Sequence, residues 1–470
     1  MVVGRLADGI ARSVSGLTDA VTAPFSDKVI RLGVTGLSRA GKTVFITSLV
    51  ANLMDRDRMT GLRAASTGAI RTAYLQPQPD DTIPRFAYED HLAAMTGAQP
   101  YWPEGTRAVS ELRLSLRMQP SGLLGTIQGA RTVHLDIVDY PGEWLLDLSL
   151  IDRDFAAWSE DALKRIEDRP EAEDFRRALA ETDLTARLEE PAAQRLAAQY
   201  TAYLHAARAA GYSDCTPGRF LLPGDLAGSP VLTFAPLPPM PNAPRNSLAR
   251  EFQRRYDSYK RNVVRPFFRD HFARIDRQVV LVDILGAIHA GPPAVEDLRR
   301  AMTDILTAFR PGRNAFLSQI FAGRRVERIL FAATKADHLH HSQHQQLTDI
   351  AAALLRDAKD RADFAGAKTK ALAIAALRAT TEDRIDHQGT PLDVVRGTLA
   401  SGKRAALHPG ELPEDPSHLL DPARQGAGKW LDAGYEVMTF SPAALSLKPG
   451  EGPPHIRLDT AAEFLIGDLL

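Results

Sequence analysis

One stretch near the start of the chain combines the residue types that bind phosphate. Residues 36–43 read Gly-Leu-Ser-Arg-Ala-Gly-Lys-Thr and fit the pattern G-x-x-x-x-G-K-[ST] without a mismatch. In this pattern the glycines let successive backbone N–H groups point at one phosphate, the lysine reaches the β- and γ-phosphates, and the final hydroxyl reaches Mg²⁺. The residues expected to hold phosphate are Ser38, Arg39, Ala40, Gly41, Lys42, Thr43 and Val44.

An acidic residue at the end of an apolar stretch supplies the second part of such a site. Residues 132–139 are mostly apolar and lead into Asp139-Tyr140-Pro141-Gly142-Glu143. We expect Asp139 to hold Mg²⁺ through water, and the backbone N–H of Gly142 to meet a γ-phosphate. A second D-x-x-G begins at Asp283. Chain order favours Asp139 for the metal, and Asp283 remains the alternative.

A third motif points to recognition of a base. Residues 328–333 are apolar and are followed by Thr334-Lys335-Ala336-Asp337, which resembles the guanine-specifying N-K-x-D element. The Asp337 carboxylate can accept hydrogen bonds from both N1–H and the exocyclic amine of guanine, which adenine cannot supply. The apolar stem of Lys335 can cover the base. Thr334 stands where asparagine is usual and offers a shorter hydroxyl to tie the loops together.

The order of the three motifs resembles that of Ras-like P-loop GTPases, and the chain is more closely similar to the YcjX-type family of bacterial stress-associated P-loop proteins. The stretches that carry this resemblance are 36–45, 139–145, 217–224, 333–338 and 454–459. The resemblance implies an α/β fold: a Ras-like P-loop NTPase domain with a large helical insertion and a small C-terminal β-rich region, in a bacterial cytoplasm.

Four further positions are predicted from their place relative to the motifs. Glu143 occupies the position of the water-orienting glutamine of Ras-like enzymes, so it is a candidate catalytic residue and the intrinsic rate is expected to be slow. Thr106 lies where a switch threonine would close over Mg²⁺, although a plain surface threonine is the alternative. Ala376 and Leu377 lie where the last base-contacting loop of the family would sit, with contacts through backbone amides.

These residues require a sheet whose strands end beside the motifs. Six mostly apolar stretches are expected to form it: 29–35, 111–119, 132–139, 278–284, 328–333 and 370–376. A helix follows the phosphate loop, and another is expected at 294–309. Residues 60–106 are expected to be irregular and rich in turns.

The middle and the end of the chain differ from this pattern. Residues 150–211 predict about three helices, and 217–244, dense in Pro and Gly, predict an ordered loop or linker. Residues 248–277 predict a helix split at Pro266, with its aromatic residues in a core and its arginines in water rather than a nucleic-acid face.

From residue 391 the pattern predicts a β-hairpin, then a strand at 435–440 and a final helix. The predicted divisions are an N-terminal amphipathic helix, the first part of the NTPase domain, the helical insertion, the second part of the NTPase domain, and the β-rich region with the terminal helix. Their bounds are 1–28, 29–150, 151–277, 278–386 and 387–470.

Composition limits the class of protein. The 470 residues include 57 Lys and Arg against 58 Asp and Glu, which argues against a globally basic nucleic-acid binder. A single cysteine, Cys215, excludes an intramolecular disulfide and fits a reducing compartment, as does the lack of a signal peptide or long apolar run. The mixed charge of the N-terminal helix favours packing on the protein itself over docking on a membrane surface.

Four histidines follow the third motif closely, namely His338, His340, His341 and His344. Pairs of them at helical spacing could hold a metal, but a solvated start of a helix is favoured.

From the three motifs together we expect a GTP/GDP-binding, slowly hydrolysing, Mg²⁺-dependent switch with a protein partner on the helical insertion. The alternatives are a nucleotide-binding scaffold with negligible turnover and an ATP-using phosphotransferase.

Overall fold

The computed structural model describes residues 27–37, 39–105, 108–119, 131–270, 274–307, 326–356, 359–360, 366–430 and 434–470. The predicted helix at 3–25, together with Ser38 and Thr106, lies outside the described residues. In the part of the chain that is described, none of the helices combines the length and apolar character that a bilayer span requires.

A seven-stranded sheet forms the centre of the protein, in the order β2-β3-β4-β1-β5-β6-β7. Its strands are β1 (Lys28–Gly36), β2 (Ile70–Gln76), β3 (Ser110–Met118), β4 (Arg131–Asp139), β5 (Arg277–Val282), β6 (Arg328–Ala333) and β7 (Lys368–Ala373). The five strands from β4 to β7 run parallel, while β2 and β3 extend the sheet antiparallel beyond β4. The predicted mixed α/β architecture is confirmed.

Helices follow the strands and flank the sheet. They are α1 (Lys42–Met54), α2 (Arg63–Ser66), α3 (Tyr88–Thr96), α4 (Glu143–Leu146), α5 (Phe155–Ile166), α6 (Glu173–Glu181), α7 (Glu190–Ala209), α8 (Gly218–Leu221), α9 (Leu248–Tyr259), α10 (Arg265–Asp270), α11 (Ile284–Ala290), α12 (Pro292–Thr307), α13 (His344–Leu354), α14 (Ser417–Arg424) and α15 (Leu458–Ile466). Short 3₁₀ turns lie at Asp147–Leu150, Pro170–Ala172, Gly224–Leu226, Pro230–Leu232, Ala336–His338 and His341–Gln343.

The two faces of the sheet pack against different parts of the chain. Because successive strand residues point to opposite faces, Val280 and Phe331 join the core that includes the insertion, and Leu281 and Leu330 join the core that includes α1 and α15. Burial on both faces explains why β5 and β6 read as continuous apolar runs in the sequence.

The insertion between β4 and β5 is built on aromatic packing. Three helices, α5, α6 and α7, lie within the predicted stretch 150–211. The predicted split at Pro266 is not a break: the chain is helical from Leu248 to Asp270, with a π-helical segment, Lys260–Val264, between α9 and α10. Trp158 of α5 stacks on Tyr256 of α9 with ring centres 5.0 Å apart. The aromatic residues of 248–268 are therefore core residues, as predicted.

Two stretches of secondary structure were predicted wrongly. Residues 60–106 are not irregular, because they contain α2, the edge strand β2 and α3. In strand β2 only Ile70 is fully buried and the other side chains are exposed or half-buried, so the strand lacks the apolar run of a central strand. Residues 435–440 form no strand; their one ladder contact is an isolated bridge between Phe440 and Leu399.

The C-terminal sheet takes its third strand from a different place. It has three antiparallel strands in the order β10-β9-β8, with β8 at Thr381–His387, β9 at Thr390–Thr398 and β10 at Arg404–Leu407. The β9–β10 hairpin is confirmed. Strand β8 was missed because its sequence, Thr-Glu-Asp-Arg-Ile-Asp-His, is charged and mostly exposed, so no apolar alternation marks it.

A buried ion pair fastens the insertion to the NTPase domain. The carboxylate of Asp297 on α12 accepts a hydrogen bond from Arg169, and its other oxygen accepts the backbone N–H groups of Ser213 at 2.6 Å and Asp214 at 2.8 Å. Arg169 also donates to the Tyr203 hydroxyl at 2.9 Å. These bonds join α12 to two separate segments of the insertion, so they stabilise the insertion in one orientation.

We predict that Asp297→Ala lowers the free energy of unfolding by about 3–5 kcal/mol, because it leaves the Arg169 guanidinium buried without its counter-ion. Urea denaturation followed by circular dichroism measures the change. Arg177→Ala, which removes an exposed pair with Glu173, serves as the control and should change stability by less than about 1 kcal/mol. Equal small losses in the two variants would contradict the anchoring role.

Candidate functional site

The candidate residues lie at one edge of the sheet. The parallel strands β1, β4, β5, β6 and β7 all end there, and the predicted motifs follow the ends of β1, β4 and β6. Ligands of open α/β sheets bind outside the carboxyl ends of the strands, so this edge is the expected position for a site. The structure therefore brings the phosphate loop, the D-x-x-G turn and the T-K-x-D turn to one side of the molecule.

The phosphate loop has the left-handed backbone that its shape requires. Arg39 has φ 62° and Gly41 has φ 80°, and α1 begins directly after Gly41 at Lys42. The Lys42 ammonium donates a hydrogen bond to the Gly36 carbonyl at 2.8 Å, which folds its side chain back over the loop. The first amides of α1 and its dipole then face the same concavity, as in anion sites at helix N-termini.

The oxygen donors expected to hold Mg²⁺ fit that ion. Asp139 ends β4 with its side chain buried and lies opposite Val34 of the neighbouring strand β1. Thr43 is buried in the first turn of α1, directly after the phosphate-loop lysine. A hydroxyl and a carboxylate are the hard ligands that Mg²⁺ prefers, and few of them are needed because it keeps several waters.

The D-x-x-G turn lies directly on the phosphate loop. A Cβ placed on Gly142 would overlap the carbonyl oxygen of Gly36. Any residue other than glycine would therefore push the two loops apart. The same carbonyl receives the Lys42 ammonium, so the D-x-x-G turn and the lysine meet at one backbone group.

Glu143 is turned towards the insertion. It is only 4% exposed, and its Oε1 lies 3.0 Å from a guanidinium nitrogen of Arg208 on α7. Arg208 lies more than sixty residues from Glu143 in the chain, so no local sequence pattern marks it as a partner. The pairing places an opposite charge beside Glu143 and holds its carboxylate in one direction.

A segment of the insertion interlocks with the chain that follows Glu143. A Cβ on Gly218 would overlap the Glu143 carbonyl, and the Gly218 N–H donates to Asp147 Oδ1 at 2.7 Å. Trp144 donates its indole N–H to Leu222 O at 3.0 Å, and the Arg219 guanidinium lies 3.2 Å from a Trp144 ring centre. Residues 217–222 were predicted only as loop or linker, yet they form the outer wall of this part of the site.

The T-K-x-D turn is tied to both neighbouring strands. The backbone N–H of Thr334 donates to Val282 O at 3.0 Å, and its hydroxyl lies 3.4 Å from the same oxygen. Lys335 has φ 61° and its ammonium pairs with Asp283. Asp337 is 4% exposed, and its Oδ2 accepts the backbone N–H of Ala379 at 2.8 Å.

Asp283 uses its carboxylate for other purposes. One oxygen pairs with Lys335, and the other accepts the Gly286 N–H at 3.0 Å, which caps the first turn of α11. A carboxylate engaged in this way has less capacity for a metal, so the geometry supports Asp139 over Asp283 as the ligand.

The loop after β7 is held by the C-terminal segment. Strand β7 ends at Ala373, so Ala376 and Leu377 lie beyond it, with Leu377 buried. Ala375 pairs with Ile456 in an isolated bridge, and the Arg378 N–H donates to Pro454 O at 2.8 Å. The amide that contacts Asp337 is that of Ala379, two residues beyond the predicted pair.

The four histidines do not form a solvated helix start. His338 is buried with its ring edge-on to Phe440, and burial lowers its pKa. His344 is also buried, and its Nε2 lies 2.8 Å from Ala336 O. The predicted solvated arrangement is thus wrong for these two, while His340 and His341 remain near the surface.

Comparison with known proteins places the chain in a family. The model of the YcjX-like family, DUF463, matches residues 30–470. The chain belongs to the YcjX-like family. It is similar to the Ras-like GTPase YcjX of Escherichia coli strain K12, with 38% identity over 94% of this chain and 96% of that protein. It is also similar to the Ras-like GTPase YcjX of Shewanella oneidensis strain MR-1, with 36% identity over 95% of each chain.

The family match covers the insertion as well as the motifs. The YcjX-like match includes residues 155–270 and the C-terminal segment. The interlock between Glu143, Gly218 and Asp147 therefore lies inside the family region and is not an appendage of this chain.

We predict that Asp147 makes stability depend on pH. Burial raises its pKa from the ordinary 3.8 to about 6, although hydrogen bonds from Tyr259 and Gly218 lower it. The folded protein therefore binds the proton more tightly than the unfolded chain does. As the pH rises from about 4 to above 6, the free energy of unfolding should fall by up to about 3 kcal/mol through this group.

Denaturation of Asp147→Asn at several pH values tests this dependence, because an asparagine side chain does not titrate in this range. The free energy of unfolding of the wild type, relative to that of the variant, should fall as the pH rises from about 4 to above 6. Asp168→Asn, at an exposed position, is the matched control and should parallel the wild type. Parallel curves for Asp147→Asn as well would contradict the raised pKa.

Proposed function

We propose that the protein is a guanine-nucleotide-binding switch that hydrolyses GTP slowly with Mg²⁺. The observation that carries the proposal is the placement of the phosphate loop, Asp139 and Asp337 at one edge of a parallel sheet. The names of the two relatives, both Ras-like GTPases, support the same conclusion. A cytoplasmic location and a role in bacterial stress belong to this proposal through the resemblance described above.

The phosphate end would be held by the loop backbone from residues 38 to 44 and by Lys42. Thr43 and Asp139 would hold Mg²⁺, Asp139 through water, and the ion supplies charge neutralisation for the phosphates when it is bound. Gly142 would present its N–H to the γ-phosphate from its position against Gly36. We keep Thr106 in this proposal as the residue that closes over the metal.

The base end would be read by Asp337. Its carboxylate is oriented by the Ala379 amide, and a carboxylate oxygen can accept more than one hydrogen bond. Guanine offers two donors on the edge that would face Asp337, whereas adenine offers none in that pattern. The stem of Lys335, whose ammonium pairs with Asp283, would lie over the base. Thr334 would tie the loops together, and Ala376 and Leu377 would contact the base through backbone amides.

Slow hydrolysis would follow from the state of Glu143. Its carboxylate is buried and paired with Arg208, and a carboxylate lacks the amide donor of a water-orienting glutamine. A protein partner bound to the insertion could change this pairing, because Arg208 lies on α7 of the insertion. A scaffold with negligible turnover is the second candidate, and the same Glu143–Arg208 pairing favours it.

The choice of base is tested with Asp337→Asn. The asparagine oxygen can still accept the Ala379 N–H, so the loop should keep its form while the acceptor for guanine's two donors is lost. We predict that GTP affinity falls by about 10²–10³-fold and that xanthosine triphosphate, whose 2-oxo group can accept from the new amide, binds more tightly than GTP. Calorimetry measures both affinities.

The control for this experiment is Lys42→Ala, which should lose affinity for both nucleotides because it acts on the phosphates. If Asp337→Asn binds GTP and xanthosine triphosphate as the wild type does, Asp337 does not read the base. Tighter binding of ATP than GTP by the wild type would favour the ATP-using alternative.

The rate is tested with Glu143→Gln. If Glu143 only approximates the usual glutamine, the variant should preserve turnover or raise it several-fold, and the wild-type rate without a partner should be in the slow range of Ras-like proteins, about 10⁻⁴–10⁻² s⁻¹. Single-turnover hydrolysis of GTP measures both rates. Glu160→Gln, an exposed glutamate on α5, is the matched control and should leave the rate unchanged.

The two remaining outcomes bear on different parts of the proposal. A collapse of turnover in Glu143→Gln with GTP affinity unchanged would make Glu143 a specific base. A fast wild-type rate in the absence of any partner would overturn the slow-switch proposal itself.

A further inference from the structure

Four side chains from three segments meet beside the T-K-x-D turn. His340 and His341 follow that turn, Glu382 lies on β8 and Asp393 lies on β9. His341 Nδ1 is 2.6 Å and His340 Nε2 is 3.7 Å from the same oxygen, Glu382 Oε2. The two imidazole rings lie close together, with centres 4.2 Å apart. The nucleotide site described above uses none of these four residues.

We propose that His340, His341 and Glu382 form a binding site for a divalent transition metal of the zinc class. Each residue offers one ligand atom, and these atoms lie within 4.8 Å of one another. Ligands about 2.0–2.2 Å from a tetrahedral zinc ion lie about 3.4 Å apart, so small rotations of the side chains would bring the three atoms to one ion. Two imidazoles and one carboxylate select such metals over Mg²⁺ or Ca²⁺.

The groups behind the ligands are arranged to orient them. Asp393 Oδ2 lies 3.4 Å from His340 Nδ1, the ring nitrogen that would not bind the metal. The Ser342 hydroxyl lies 2.9 Å from the same nitrogen, and the Ser342 backbone N–H donates to it at 3.5 Å. A carboxylate on the far nitrogen of a ligating histidine fixes the tautomer and the ring direction of metal-bound histidines. His340 is accordingly the ligand that the protein holds in place.

Two arginines set the direction of the carboxylates. Arg378 donates a hydrogen bond to Glu382 Oε1 at 3.2 Å, and Arg384 donates one to Asp393 Oδ1 at 2.7 Å. In each case the second carboxylate oxygen is the one that faces the histidines. The two guanidinium charges are balanced by the two carboxylates, so an incoming cation would not meet a net positive charge.

Access to the site differs from one ligand to the next. The side chain of His341 is 68% exposed, whereas those of His340 and Glu382 are 14% and 24% exposed. A solvated ion would therefore bind His341 first and then contact His340 and Glu382, which are less exposed. His338 and His344 are buried, the first against the Phe440 ring and the second hydrogen-bonded to Ala336 O, and they take no part.

Occupancy would join the turn at 337–342 to the small C-terminal sheet. Asp337 precedes His340 by three residues, and Arg378 connects Glu382 to the loop that holds Asp337. A metal here would therefore stabilise the base end of the nucleotide site. That consequence rests on the proposed function, whereas metal binding itself does not.

The test is calorimetric titration of the full-length protein, free of any affinity tag, with ZnCl₂ in a buffer that contains excess Mg²⁺. We expect one site per chain with a dissociation constant in the micromolar range or tighter. His341→Ala and Glu382→Gln should each weaken binding at least about tenfold. His387→Ala removes an exposed histidine from the same strand as Glu382 and should bind zinc as the wild type does.

Titration with Co²⁺ identifies the ligands independently, because bound cobalt with imidazole ligands gives visible absorption bands that Glu382→Gln should alter. Equal zinc affinity in the wild type, His341→Ala and Glu382→Gln would overturn the site, as would weak binding with several ions per chain. Circular dichroism confirms that the variants remain folded. Zinc binding that persists in Lys42→Ala, which cannot hold nucleotide, would separate this proposal from the proposed function.

Discussion

The carbonyl group of Gly36 is the point at which the phosphate loop, its lysine and the D-x-x-G turn meet. Lys42 donates to this oxygen, and Gly142 approaches it so closely that a side chain cannot be inserted. A contact between two backbones has little freedom to adjust, because neither side has a rotamer to change. The position of the phosphate loop therefore fixes the start of the D-x-x-G turn, and a displacement of one must move the other.

The same type of contact continues outwards into the insertion. Gly218 lies against the Glu143 carbonyl as Gly142 lies against that of Gly36, and its N–H is held by the buried carboxylate of Asp147. Two glycine contacts in series thus connect the phosphate loop to a segment about 180 residues further along the chain. The Glu143–Arg208 pair and the Trp144–Arg219 contact run beside this connection. The insertion therefore contacts Glu143 through both its side chain and its backbone.

The parts of the structure that follow from local chemistry were predictable from the sequence. A phosphate loop needs a strand, a glycine turn and a helix in immediate succession, and β5 and β6 are buried on both faces, so short windows around them were sufficient. Strands β2 and β8 lie at sheet edges, where exposed and charged side chains hide the pattern. Arg208 contacts Glu143 and Ala379 contacts Asp337 from segments that are distant in the sequence, and no sequence spacing predicts such contacts.

The two ends of the candidate site are held by different parts of the chain. The phosphate end is backed by the insertion through Gly142 and Glu143, and the base end by the C-terminal segment through Pro454 and Ile456, which fix the loop that carries Ala379. Between them, Lys335 and Asp283 join the turns after β6 and β5. Because that pairing occupies the carboxylate of the second D-x-x-G, the two similar motifs have different positions: one lies on the phosphate loop, and the other holds the T-K-x-D turn.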